Sequence, residues 1–149
     1  VDVSLSSDAC LEIYAPVVNP ERLKTNDIAE LRTLADGKKQ FRILGRKDNV
    51  IDSGGIKIQI EEVERLLRPH LQCGYMITKV PDTRLGEAVT LLVDTLNTVE
   101  LEEICRSVLP KHWMPRHILT VIPLPTTGTG KPARAEAEKL AYNLIKNYN

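Results

Sequence analysis

An excess of charge of either sign is missing from this chain. Its 149 residues carry 20 Lys and Arg against 20 Asp and Glu, so the net charge is zero with the three histidines neutral. A protein that grips nucleic acid through a basic face needs surplus cations, and that class is set aside, although a local positive cluster is not. No apolar run is long enough to span a bilayer. A cysteine framework is absent too: Cys10, Cys73 and Cys105 are odd in number and far apart. That spacing speaks against disulfides and a zinc site, and for small buried side chains in a reducing cytosol. His70, His112 and His117 lack metal-ligand spacing and no Ser/His/Asp set is legible, so no metal site is expected within the chain. Val1 to Asp8 hold two aspartates and no basic cluster, unlike a signal peptide, and there is no initiator methionine. The expectation is a cytoplasmic polypeptide that begins inside a longer gene product.

What is present is ordinary globular material, 42% hydrophobic and 27% charged. The length suits one domain, or a small domain plus part of another. Residues 1–44 read as β. Leu11 to Ala15 and Gln40 to Leu44 alternate apolar and polar, Asp27 to Leu31 does so weakly, and Ala35-Asp36-Gly37-Lys38 is a turn signal. A strand pair around Asp36-Gly37 is predicted, in a segment too short to build a core alone. After Gly45 the pattern changes. Val50-Ile51 and Ile56 to Ile58 flank Asp52-Ser53-Gly54-Gly55 as a tight hairpin, and Ile60 to Leu67 has helical periodicity with Glu61, Glu62 and Glu64 as a solvated start. Strands are predicted at Gly74 to Val80 and Glu87 to Asp94, the latter central, joined by a turn over Pro81 to Gly86. A helix capped by Thr98 holds Leu101, Ile104, Cys105, Val108 and Leu109 on one face. A short buried strand at Ile118 to Ile122 and a closing helix at Ala133 to Ile145 complete an α+β unit.

The candidate site residues each have two readings. Lys131, in Pro125-Thr126-Thr127-Gly128-Thr129-Gly130-Lys131-Pro132, is either solvated or an ammonium brought to a phosphate or carboxylate. A P-loop is excluded there, because Pro125 replaces its first glycine and Pro132 its metal-binding hydroxyl. Asp27 is a turn residue or a carboxylate for two ribose hydroxyls. Arg46 pairs with a nearby carboxylate or forks onto ribose or phosphate. Asp48 is a linker residue, Ser53-Gly54-Gly55 a hairpin turn, and Lys57 a solvated side chain, unless their company says otherwise.

That company is an ordered set. Thr25-Asn26-Asp27, Gly45-Arg46-Lys47-Asp48-Asn49-Val50-Ile51, Ser53-Gly54-Gly55-Ile56-Lys57-Ile58 and Glu61-Glu62-Val63-Glu64 resemble the acyl-adenylate-forming (AMP-binding) superfamily. Pro81 to Glu87, Met114-Pro115-Arg116 and the Pro125 to Lys131 loop follow in the same order, so the resemblance covers nearly the whole chain. It implies an α+β C-terminal lid domain over residues 48–149, built of a β-hairpin and a mixed three-stranded sheet with helices. Residues 1–47 are then the terminal β segment of a large, incomplete ATP- and acid-binding domain. By position, Asp27 and Arg46 resemble the nucleotide-binding pair on the ribose, Asp48 the hinge, and Lys131 the catalytic adenylation lysine. Ser53, Gly54, Gly55, Ile56 and Lys57 resemble the CoA channel lining. The family usually has Thr-Gly-Asp where Asn26-Asp27 stands here. The implied ligands are ATP/AMP, CoA and Mg²⁺, with the metal's ligands mostly outside this chain, and the implied partners are a small-molecule acid and the missing N-terminal domain. The run from Gly45 to Ile58 looks most like the o-succinylbenzoate–CoA ligases of menaquinone biosynthesis. An adenylation domain loading a carrier protein, and a stand-alone lid-like binding module, are the alternatives. Acylation of Lys131 would act as an off-switch, because the role implied for it depends on its charge.

Overall fold

Alternation of apolar and polar side chains sets the first fifty residues into an antiparallel meander. In the computed structural model, which describes residues 1–147, the strands are β1 (Asp2–Leu5), β2 (Cys10–Tyr14), β3 (Leu23–Thr33) and β4 (Lys39–Arg46), adjacent in that order. The expected turn closes β3 and β4: Gly37 has φ +82°, and the Asp36 carboxylate accepts the Lys38 amide. β3 is longer than its weak alternation suggests, so Asp27 lies inside a strand rather than in a turn. Cys10, Leu11 and Ala29 are the fully buried apolar side chains of this unit, whereas Phe41 and Ile43 are 49% and 44% exposed. One thin sheet without a second layer buries little else.

The chain divides into two compact units, Val1–Val50 and the remainder from Ile51. The second contains β5 (Val50–Ser53, which starts on the last residue of the first unit), β6 (Ile56–Gln59), α1 (Ile60–Leu67), β7 (Tyr75–Asp82), β8 (Gly86–Val93), α2 (Leu101–Val108), a 3₁₀ turn (Lys111–Trp113), β9 (His117–Thr120) and α3 (Arg134–Asn147). Its class is α+β, and the hairpin and the three later strands merge into one five-stranded sheet. β8 is central: β7 runs antiparallel to it, β9 pairs in parallel from Thr90↔His117 to Val93↔Thr120, and β5 joins at Ser53↔Gly86. Helices cover both faces, so β8 is apolar almost throughout. Ile77, Val89, Leu91 and Val93 meet Val63, Leu67, Leu101 and Cys105 on one side. Met76, Val80, Ala88 and Leu92 meet Ala137 and Ala141 of α3 on the other.

Four local expectations change. Thr98 does not cap α2 with its hydroxyl; Glu100 is the N-cap residue, and the Thr98 carbonyl accepts the Leu101 amide instead. The Pro81–Gly86 turn is shorter, because Pro81 and Asp82 finish β7, Gly86 opens β8, and the Asp82 carboxylate takes the Arg84 and Leu85 amides. β9 ends at Thr120 and is only half-buried, with Ile122 beyond it 60% exposed. The last helix begins at Arg134, since Pro132 and Ala133 close the preceding loop. Among the described residues no helix is long and apolar enough to cross a membrane.

Candidate functional site

In the first unit the meander brings Asp27 and Arg46 together. They are register partners on β3 and β4, and Nη1 of Arg46 lies 3.0 Å from Oδ1 of Asp27. The hydroxyl of Thr25 donates to the Leu11 carbonyl at 2.8 Å and accepts the Asp27 amide at 3.2 Å, which fixes the backbone under the carboxylate. The arginine thus has the carboxylate partner that its bare sequence allowed, and that partner is the other ribose candidate. The carboxylate is about one-third exposed, so it can still accept from a diol.

Asp48 sits exposed in the turn that follows, where the Lys47 amide donates to Asn26 at 2.8 Å and the Asn49 amide to Arg46 at 3.0 Å. The residue before it is tied down by its side chain as well. Lys47 Nζ lies 2.7 Å from Asp8, which also pairs with Lys24 at 3.2 Å and accepts from the Ser6 hydroxyl. The Lys47 bond, then Ser6, holds the Asp8 carboxyl far below the usual carboxylate range, and the Asp8 bond raises the Lys47 ammonium. The side-chain tie to Asp8 thus ends one residue before Asp48, whose turn is closed by the Asn49 amide.

In the second unit Gly54 and Gly55 make the β5–β6 turn with φ +59° and +84°, a conformation that other residues adopt only with strain. The Gly54 amide donates to the Leu85 carbonyl at 2.8 Å, and Glu87 accepts the Asp52 amide at 2.8 Å, so the turn is pinned to the start of β8. Ile56 and Lys57 are exposed. Ser53, Gly54 and Ile56 form one wall of an open cleft of about 1020 Å³. Leu109, Met114 and Pro115 make an apolar part of its lining, and Arg106, Lys111, His112 and Arg116 bring nitrogen donors to it. Arg106 is outweighed in charge by Glu102 at 2.7 Å and Glu103 at 3.2 Å, so the cationic part of the rim is Lys111 and Arg116. The arrangement offers apolar contact and nitrogen donors to a ligand with an apolar part and an anionic end.

Lys131 is exposed on a loop whose backbone is closed upon itself. Ala133 donates to Pro125 at 3.0 Å, Thr127 to the Lys131 carbonyl at 2.7 Å, and Gly130 to the Thr127 carbonyl at 2.9 Å, while the Lys131 amide reaches the Thr127 hydroxyl at 3.2 Å. Lys131 does not line the cleft beside the hairpin turn. Its neighbour in sequence, Arg134, makes a two-pronged pair with Glu64 at 2.7 and 2.8 Å. Glu61, Glu62 and Glu64 are accordingly not a solvated helix start. Glu62 is 7% exposed and pairs with Arg65 at 2.7 Å, and Glu64 also accepts the Ile77 amide at 2.9 Å where α1 lies against β7.

Reading by residue type missed Glu64, Arg134, Asp8 and the cationic rim of the cleft. A lone charge has no visible partner until the fold supplies one 70 residues away, as it does for Glu64 and Arg134. Among the described residues no three His, Cys, Asp or Glu side chains gather to hold a metal ion.

No family model matches the chain. It is 32% identical over 113 residues to a dimodular nonribosomal peptide synthase of Bacillus subtilis, covering 72% of this chain and 5% of the synthase. It is 30% identical over 136 residues to the human mitochondrial acyl-coenzyme A synthetase ACSM2B, covering 80% of this chain and 24% of the synthetase. Among solved structures, a variant of E. coli MenE with bound OSB-AMS shares the fold at a TM-score of 0.68 and 24% identity, covering 96% of this chain and 34% of that one. The chain thus spans a quarter or less of the length of these curated relatives.

Proposed function

Since this chain belongs to the acyl-adenylate-forming superfamily and matches its C-terminal part, we propose that it is the hinge and lid portion of an ATP-dependent acid–CoA ligase, with o-succinylbenzoate as the acid. Residues 1–47 are the end of the large domain and residues 48–149 the lid, and without the large domain the chain is inactive. The reaction has two halves. A carboxylate oxygen of the acid attacks the α-phosphorus of ATP, and the bond to pyrophosphate breaks. The sulfur of CoA then attacks the acyl carbonyl, AMP leaves, and the thiol proton passes to solvent.

The observation that carries this reading is the presence of two distinct loops on one small α+β unit. One presents an exposed ammonium at Lys131, and the other is the glycine turn Ser53–Lys57, which borders a cleft with a cationic rim. In the first half-reaction Lys131 stabilises charge growing on the phosphoryl oxygens. Left in place, it obstructs the thiol. Rotation about Asp48 withdraws it and offers the Ser53–Lys57 turn, a hinge-type switch. Asp27 accepts the ribose hydroxyls and Arg46 meets the same sugar. Mg²⁺ accompanies the triphosphate in the large domain. The anion-compatible rim of the cleft supports CoA, which carries three phosphates, as the thiol. The choice of acid rests on the resemblance of the Gly45–Ile58 run.

The likeness to a peptide synthase favours a second reading, in which the thiol belongs to a carrier protein. Offering the intact enzyme CoA or a phosphopantetheinylated carrier separates the two. The shared mechanism is tested by Lys131→Ala in the intact enzyme. Acid-dependent pyrophosphate exchange should fall on the order of 100-fold, with thioester formation from supplied acyl-adenylate preserved. Equal loss in both assays refutes the role of Lys131.

A further inference from the structure

We propose that the Glu64–Arg134 pair is the positioning device of the Lys131 loop, an inference that rests on the role given to Lys131 above. The side chain of Lys131 is exposed, so its reach is set by the backbone that carries it. That backbone is a closed hairpin: Thr126 bridges Pro132, and the Ala133 amide returns to Pro125. Both ends of the hairpin therefore meet beside Arg134, three residues beyond the lysine.

Arg134 in turn is fixed in three directions. Its guanidinium takes both oxygens of Glu64 on α1 and reaches the Ile77 carbonyl of β7 at 3.4 Å, while Glu64 accepts the Ile77 amide. The side chains are only 25% and 12% exposed. Burial is the largest single influence and opposes the arginine's charge, but the bond to Glu64 together with the negative charges of Glu64 and Glu61 outweighs it and raises its pKa. A planar fork held at two points restrains direction as well as distance, which a single ammonium does not. The net contribution of such a half-buried pair to stability is small against well-packed apolar residues, whereas its contribution to geometry is not. The hydrophobic contacts of α3 with the sheet run through Ala137 and Ala141, and Leu124 packs against the same cluster just before the loop, so the Glu64–Arg134 pair is the polar tie at the loop's other end.

The test uses Arg134→Gln, with Glu64→Gln as the milder second variant and Arg134→Lys as the conservative one. In the chain itself, hydrogen exchange at the Thr127, Gly130, Lys131 and Ala133 amides should accelerate about tenfold in the first two, with the β8 amides unchanged. In the intact enzyme the kcat of adenylation should fall on the order of tenfold to hundredfold without a matching rise in the KM for ATP. Thioester formation should stay at the wild-type rate, and Arg134→Lys should recover part of the loss. Unchanged loop exchange, equal acceleration in β8, or equal loss in both half-reactions overturns the proposal. If Lys131→Ala itself leaves adenylation intact, the reading of Lys131 falls, and the exchange result still decides whether the pair holds the loop.

Discussion

Asp27 and Arg46 face each other across β3 and β4, Oδ1 and Nη1 3.0 Å apart, on the accessible side of a thin sheet. An ion pair this exposed contributes roughly 0–1 kcal/mol to stability. Asp27→Asn should therefore barely move the melting temperature. A charge-assisted bond to a ribose hydroxyl is a different matter, at about 1.5–3 kcal/mol. In the intact enzyme the KM for ATP should rise roughly tenfold to a hundredfold. Wild-type enzyme should also prefer ATP to its 3′-deoxy analogue, and the variant should lose most of that preference. A variant that still discriminates between the two nucleotides places the sugar elsewhere.

The turn after β4 ties Lys47 to Asn26 and to Asp8 and leaves Asp48 at its exposed tip. Proline at position 48 fixes its φ near −65° and restricts Lys47 to extended conformations. Asp48→Pro should then preserve pyrophosphate exchange and slow thioester formation, the mirror image of Lys131→Ala. Single-turnover measurement of the two half-reactions resolves them. Normal thioester formation in Asp48→Pro removes the hinge from this position.

The rim of the cleft beside the glycine turn makes a prediction about the thiol. Lys111→Glu replaces an exposed cation by an anion without touching the buried core. The KM for CoA should rise about tenfold, the worth of one charge-assisted contact, with adenylation unaffected. Pantetheine, which lacks the phosphates, should react equally well with both proteins. An equal penalty for pantetheine means that the rim serves the channel and not the phosphates.

Element order was legible because two periodicities dominate the chain. Ile60, Val63 and Leu67 fall on one helical face and form α1 with the predicted bounds, and the apolar run at Leu91 to Val93 lies on the central strand. The ends were less legible, because they are set by bonds between distant groups. The carboxylate of Asp82 ends one strand, and the return of Ala133 to Pro125 delays α3. Two of the glycine turns could be read in physical terms, since Gly37 and Gly54-Gly55 adopt positive φ there. Charge was the least legible property. Glu64 reads as a water-facing residue at a helix start, and only the docking of α1 on β7, with Arg134 arriving from the far end of the chain, turns it inward.

Cys105 gives the pH prediction that depends least on function. It lies at 0% exposure between α2 and the sheet, and burial, with Glu102 adding to it, pushes its thiol up to about 11 from an ordinary 9.0. Below pH 9 the thiol is protonated in both folded and unfolded chains, and it adds no pH dependence. Between pH 9 and 11 the unfolded chain releases a proton that the folded chain keeps, so stability falls as pH rises. Above pH 11 the effect levels off. The shift corresponds to roughly 2–3 kcal/mol over that window. Denaturant titrations at pH 8 and pH 11 should show this extra decline in wild-type protein and not in Cys105→Ala, so the cost of the substitution shrinks as pH rises. At pH 8 the folded chain should also resist alkylation at Cys105 and accept it once unfolded. Parallel pH profiles for the two proteins, or rapid labelling without unfolding, mean that α2 leaves the sheet in solution.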